Sequence, residues 1–288
     1  MMTRYITKEC FFMKISKILV LSAVFLICGF SVVFAASDFD SVVTQTDKGL
    51  IDWSQNYIEA TGMAVAPSSA TTDAQGKLLA RRGAIVDLQR NMLEFLSGVQ
   101  IDSRTTMDDF MAEDRVRSEV HGAIKNIELL KGVWDGEAYT VTGRIKLAQL
   151  RTIVAPSIPV DKVIIETEAK QPAAPKTARY TGLVIDARHL PLTPSVTFRV
   201  FDESGRAVYG IEFTNNDAFL QSGICSYFNN INFATGDVFV ATNPISARAI
   251  KLTNGNVDIV ISNSNAAMIR SSSYDFRKDC KVIIVVNG

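Results

Sequence analysis

The sequence predicts an α+β protein: a long helix packed on an antiparallel sheet, a linker, and then a second mixed α/β domain. Three observations predict it. Leu78, Leu79, Ile85, Leu88, Met92, Leu93 and Leu96 recur near a 3.6-residue period, which marks an amphipathic helix. Asp135-Gly136 stands between the strand-like runs Ile127–Trp134 and Ala138–Leu147, a hairpin signal. Glu166–Arg179 has no aliphatic residue larger than alanine and carries Pro172 and Pro175, so it favours an extended connection over a core.

The first 35 residues read as a secretory leader. Lys14 and Lys17 precede the apolar run Ile18–Phe30, and Val33-Phe34-Ala35 puts small residues where cleavage is read, so cleavage is expected after Ala35. Met13 is the expected initiator. The rival is a retained anchor, because the apolar run approaches the roughly 20 residues a membrane span needs. Lipidation at Cys28 is disfavoured, since Phe25 and Ile27 occupy the places that lipoprotein processing wants as leucine and a small residue.

After a lead-in over 36–56, the first module spans 57–160. Tyr57–Val65 alternates as a strand ending before Pro67, Thr72-Asp73 opens the long helix, and Gly98 closes it. Val99–Met107 reads as a strand, and Asp108 begins a second helix through Val116, Val120 and Ile124. The linker is placed at 161–179, although Val160–Ile165 is apolar enough to be a last strand.

The second domain spans 180–288. Tyr180–Asp186 reads as a strand, and Ser195–Val208 as two strands about Asp202-Glu203-Ser204-Gly205. Asn216–Tyr227 is helical. Val238–Ala241, Ala247–Leu252 and Val257–Ile261 are strands, Asn263–Ile269 is a short helix, and Cys280–Val286 is a final apolar strand. Buried-type strands mixed with short helices give the second α/β unit.

Charge and motifs exclude more chemistry than they suggest. The chain carries 30 basic and 30 acidic residues, and losing Arg4, Lys8, Lys14, Lys17 and Glu9 with the leader leaves 26 against 29. A mildly acidic surface is no nucleic-acid footprint. There is no glycine-rich phosphate loop, no Gly-x-Ser-x-Gly and no His-Glu-x-x-His. Of the two histidines, His121 falls on an amphipathic helix, and His189 has only Asp186 nearby, short of the three protein ligands of catalytic zinc. Asp108-Asp109 suits a helix N-terminus and Asp202-Glu203 a turn. Arg81 and Arg82 read as a solvated helix face, while Trp53, Tyr57 and Trp134 read as packing residues or a ligand platform. The leader takes Cys10 and Cys28, leaving Cys225 and Cys280, which can pair as a disulfide in an oxidising compartment or pack as two buried thiols. No catalytic residue, metal or cofactor is expected.

Ala60-Thr61-Gly62-Met63-Ala64, then Ala80-Arg81-Arg82-Gly83-Ala84-Ile85-Val86-Asp87-Leu88-Gln89-Arg90, then Ser97-Gly98-Val99 and Ile101–Met107 form a connected pattern. Over about 57–150 it resembles the Lpp-twenty lipoprotein family and the N-terminal domain of flagellar assembly protein T. The resemblance implies a helix laid on a small antiparallel sheet, and an envelope role in assembly or scaffolding rather than catalysis. Expected partners are envelope or flagellar proteins, including further copies of this chain, with no nucleic acid and only peripheral membrane contact. The expected location is the periplasm or the outer-membrane periphery. The alternative is a periplasmic module that binds a small ligand or cell-wall component in an interdomain cleft.

Overall fold

A computed structural model describes residues 41–162, 164 and 178–287. The expected leader, its expected cleavage site and most of the expected linker lie outside them. The described residues form a mixed α/β fold with seven α-helices and three sheets. No helix among them is long and apolar enough to cross a membrane.

The first sheet is antiparallel, in the order β1-β2-β3-β5-β4, from β1 (Val43–Gln45), β2 (Gly49–Asp52), β3 (Tyr57–Val65), β4 (Glu128–Trp134) and β5 (Ala138–Lys146). Helix α1 (Asp73–Ser97) lies across β3 and β5. Thr72 caps its N-terminus by accepting from the Gln75 amide, and the Gly98 amide closes the other end on Phe95. The buried stripe keeps Leu88, Met92 and Leu96 of the expected series and continues towards the N-terminus through Gly76, Ala80 and Ala84, while Leu78 and Leu79 are 63% and 36% exposed. Around Ala84 and Leu88 the helix and sheet backbones nearly touch: a Cβ on Gly62 would stand 2.1 Å from the Leu88 amide nitrogen.

Residues expected as a strand after α1 form a tight loop instead, with only an isolated bridge between Gln100 and Thr106. The Asp102 carboxylate accepts from the Arg104 and Thr105 amides, bending the chain locally. The expected second helix is broken into α2 (Met107–Phe110) and α3 (Asp114–Lys125). Val160–Lys162 form no strand. The segment before them is a further helix, α4 (Leu147–Val154), whose Leu147, Leu150, Ile153 and Val154 are buried.

The C-terminal half adds α5 (Asn216–Ser222), α6 (Ile231–Gly236) and α7 (Asn263–Ser271) around two four-stranded sheets. One is wholly parallel, ordered β10-β6-β13-β9, from β6 (Gly182–Asp186), β9 (Ser226–Phe228), β10 (Pro244–Arg248) and β13 (Val282–Val285). Its two central strands are aliphatic on both faces because both faces are covered. Leu183, Ile185, Val282 and Ile284 face the main core, while Val184, Ile283 and Val285 pack with Ala234 and Val240 in a smaller cluster. The other sheet, β11-β12-β7-β8, joins β7 (Val200–Asp202), β8 (Ala207–Tyr209), β11 (Lys251–Thr253) and β12 (Asp258–Ile261). Val238–Ala241, expected as a strand, forms turns.

In the β7–β8 turn the buried Asp202 carboxylate accepts from the Ser204 and Arg206 amides, each at 2.9 Å, and from the Arg270 guanidinium at 3.0 Å. Burial alone would raise its pKa, but the Arg206 amide and the Arg270 charge outweigh it and hold the carboxyl below the usual range. A carboxylate depressed in the folded state contributes stability above its unfolded pKa and loses it as pH falls through the folded value. Asp202→Asn is therefore expected to cost about 3 kcal/mol at neutral pH and to flatten the acid limb of stability below about pH 4, as read by urea melts across pH.

The two halves share one core. The described residues form a single compact unit, and one hydrophobic cluster runs from Val42 to Val286. The Val196 and Thr197 amides donate to the Gln100 and Ile101 carbonyls at 3.1 and 2.7 Å, continuing the backbone pairing across the seam.

Candidate functional site

The seam also positions the side chains with the most chemistry. The turn between β2 and β3 carries Trp53, Ser54 and Asn56, with Asn56 in the left-handed region at φ 60°. Trp53 is buried, donates its indole N–H to Thr44 Oγ1 at 3.0 Å, and meets the Tyr227 ring edge-on at 5.7 Å. Ser54 Oγ donates to the Tyr227 carbonyl at 2.7 Å. Helix α4 sends Arg151 into the seam, where its guanidinium donates to Asn56 Oδ1 and to the Leu220 and Gln221 carbonyls of α5. Among the described residues no carboxylate pairs with it, and burial pulls its pKa down to about 10.

Cys225 and Cys280 lie beside this arginine, both buried and both free thiols. Burial is the main cause that raises each thiol pKa, Cys280's to about 11. Neither thiol is primed as a nucleophile, which would need a lowered pKa and access. Iodoacetamide is expected to label neither in the native protein and both in denaturant without reductant. A mass increase for two adducts only after reduction would instead mean a bonded pair.

Next to the seam opens a cleft of about 330 Å³, a size at the lower end of small-molecule sites. The hairpin β1–β2 and the end of α1 form its walls, and Thr193 and Pro194 from the C-terminal half close one side. Ile51, Trp53, Phe95 and Val99 line it with apolar surface, and Asp47, Lys48, Glu94 and Gln100 supply its polar groups. Lys48 Nζ sits 3.6 Å from Asp47 and 3.8 Å from Glu94.

The other residues singled out in the sequence are not brought together. His121 and His189 are exposed on separate elements, and Asp186 is held by both arms of Arg188, at 2.9 and 2.8 Å. Asp109 accepts from the Thr106 amide and hydroxyl at the start of α2, which lowers its pKa. Tyr57 lies under Arg144 on the uncovered face of the sheet, and Trp134 pairs with Tyr139 at the opposite end of β5, so only Trp53 reaches the cleft. Met92, Met107 and Met111 are buried packing residues, and Arg81 and Arg82 are exposed. Among the described residues no cluster of three histidines, cysteines or carboxylates could hold a metal. Sequence reasoning missed Arg151 altogether; a lone arginine in an apolar helix was the available signal.

No curated protein matches the chain. Residues 182–288, from β6 onward, are similar to the family described as Treponema pallidum Tp0624, second domain.

Proposed function

We propose that this protein is a non-enzymatic, exported component of a bacterial cell envelope with an assembly or scaffold role. The observation that supports it most is the uncovered edge of the first sheet. Among the described residues strand β4 pairs only with β5, and Leu129, Leu130 and Val133 are exposed along it. A rigid body that displays an unpaired, partly apolar edge suits strand addition or face-to-face contact with another protein. A bulge at Leu130 and the charge of Lys131 limit indiscriminate pairing at that edge. The flagellum-associated version of this role rests on the resemblance over 57–150.

Deleting the gene tests the role. Altered envelope permeability or motility is expected, with rescue by the wild-type chain and not by Leu130→Asp/Val133→Asp. Unchanged motility and permeability, together with a cytoplasmic location in fractionation, would overturn the proposal. The cleft favours a second reading, in which the seam holds a small ligand. Saturable binding at Trp53 would support it, and an inert cleft would remove it.

A further inference from the structure

We infer that the cleft takes a cationic ligand with an apolar body, a small amine or guanidine carried on an aromatic or aliphatic group. The inference rests on the small-ligand reading and adds the ligand's chemical class. Two features of the cleft carry it.

The first is its apolar surface. Trp53, Ile51, Phe95 and Val99 present hydrocarbon to whatever enters, so part of the ligand must be apolar. The second is the balance of donors and acceptors around that surface. The Trp53 indole N–H is already spent on Thr44, and the Gln100 amide nitrogen on the Asp102 and Thr105 carbonyls. Lys48, the cleft's one cationic side chain, lies between two carboxylates. Acceptors remain open: Asp47 is 82% and Glu94 53% exposed at the side chain. Two carboxylates against one ammonium leave the rim net negative. An anion would face two like charges, whereas a cation finds open carboxylates beside apolar and aromatic surface.

The test uses the full mature chain carrying Trp134→Phe, which leaves Trp53 as its one indole. Phenethylamine, 2-phenylethanol and 3-phenylpropionate are titrated against Trp53 emission: one ring of similar size in cationic, neutral and anionic form. Phenethylamine is expected to change the emission saturably and to bind at least about ten-fold more tightly than 3-phenylpropionate. Asp47→Asn/Glu94→Gln is expected to weaken the amine about three- to ten-fold, the scale of two exposed charge contacts, and to leave 2-phenylethanol unchanged. Acetyl-Phe-Lys-amide, run beside the free amine, tells a basic polypeptide side chain from a small metabolite; tighter binding of either supports the class and assigns its source. Equal binding of all three ring compounds, or preference for the carboxylate, would overturn the class while leaving a ligand-binding cleft. Silence with every probe would overturn both.

Discussion

Gly62→Val is expected to abolish cooperative folding, and Gly62→Ala to cost at least about 3 kcal/mol in urea unfolding. Gly62 sits in mid-β3, opposite Val141 on β5, on the face that α1 covers. A Cβ there would stand 2.1 Å from the Leu88 nitrogen, 2.3 Å from the Ala84 carbonyl oxygen and 2.6 Å from the Leu88 Cα. All three are backbone atoms in mid-helix, so no side chain can rotate aside. The whole helix would have to lift, opening the layer between α1 and the sheet. Gly122 is the control. It lies within α3 with nothing inside 4 Å of a built Cβ, so Gly122→Ala should stabilise by roughly 0.5–1 kcal/mol through helix propensity. Similar losses at both glycines would refute the close-packing account.

The second large effect is expected at Arg151. Arg151→Met should destabilise by about 3 kcal/mol, because it removes a buried charge's three part-buried hydrogen bonds, to Asn56 and to the Leu220 and Gln221 carbonyls. Arg151 is 4% exposed. Two of its acceptors, the Leu220 and Gln221 carbonyls, belong to the last turn of α5, where the helix presents its partial negative charge. That dipole and the Asn56 amide oxygen take the place of a carboxylate partner. Gly223 follows at φ 82°, and a Cβ there would come within 3.1 Å of the guanidinium. Arg151→Lys should recover part of the loss, since an ammonium carries the charge but cannot span three acceptors in one plane. Full recovery by lysine would show that charge alone matters at this position.

The elements most legible in the sequence are those set by local chemistry. Tyr57–Val65 forms the alternating strand, Thr72 and Gly98 bracket α1, and Asp135-Gly136 turns the β4–β5 hairpin with Gly136 at φ 109°. Misreadings arise where tertiary contact outweighs pattern. In α1 the expected series holds at Leu88, Met92 and Leu96, but in the first half of the helix the buried positions are Gly76, Ala80 and Ala84, and Leu78 and Leu79 are left exposed. Helix α4 was hidden because a strand-like run leads straight into it at Leu147. Residues 195–197 look like part of a strand, and what they pair with is Gln100–Ile101, almost a hundred positions away. The cleft was legible only in Trp53; its other walls come from a hairpin, a helix end and a distant loop, which no local period connects.

The shared core has a consequence for how the chain acquires its shape. The Ser54–Tyr227 hydrogen bond closes a loop of 173 residues, and the Thr197–Ile101 bond one of 96. Such contacts form late, after a large entropic cost of closure. During synthesis the first half emerges with Trp53 and Ile101 still lacking Tyr227 and Thr197, the partners that the second half brings. Until Val196 and Thr197 arrive, the nascent protein carries an unfinished apolar wall. The seam is thus where a holding chaperone would have something to grip, and where a truncated chain would first aggregate.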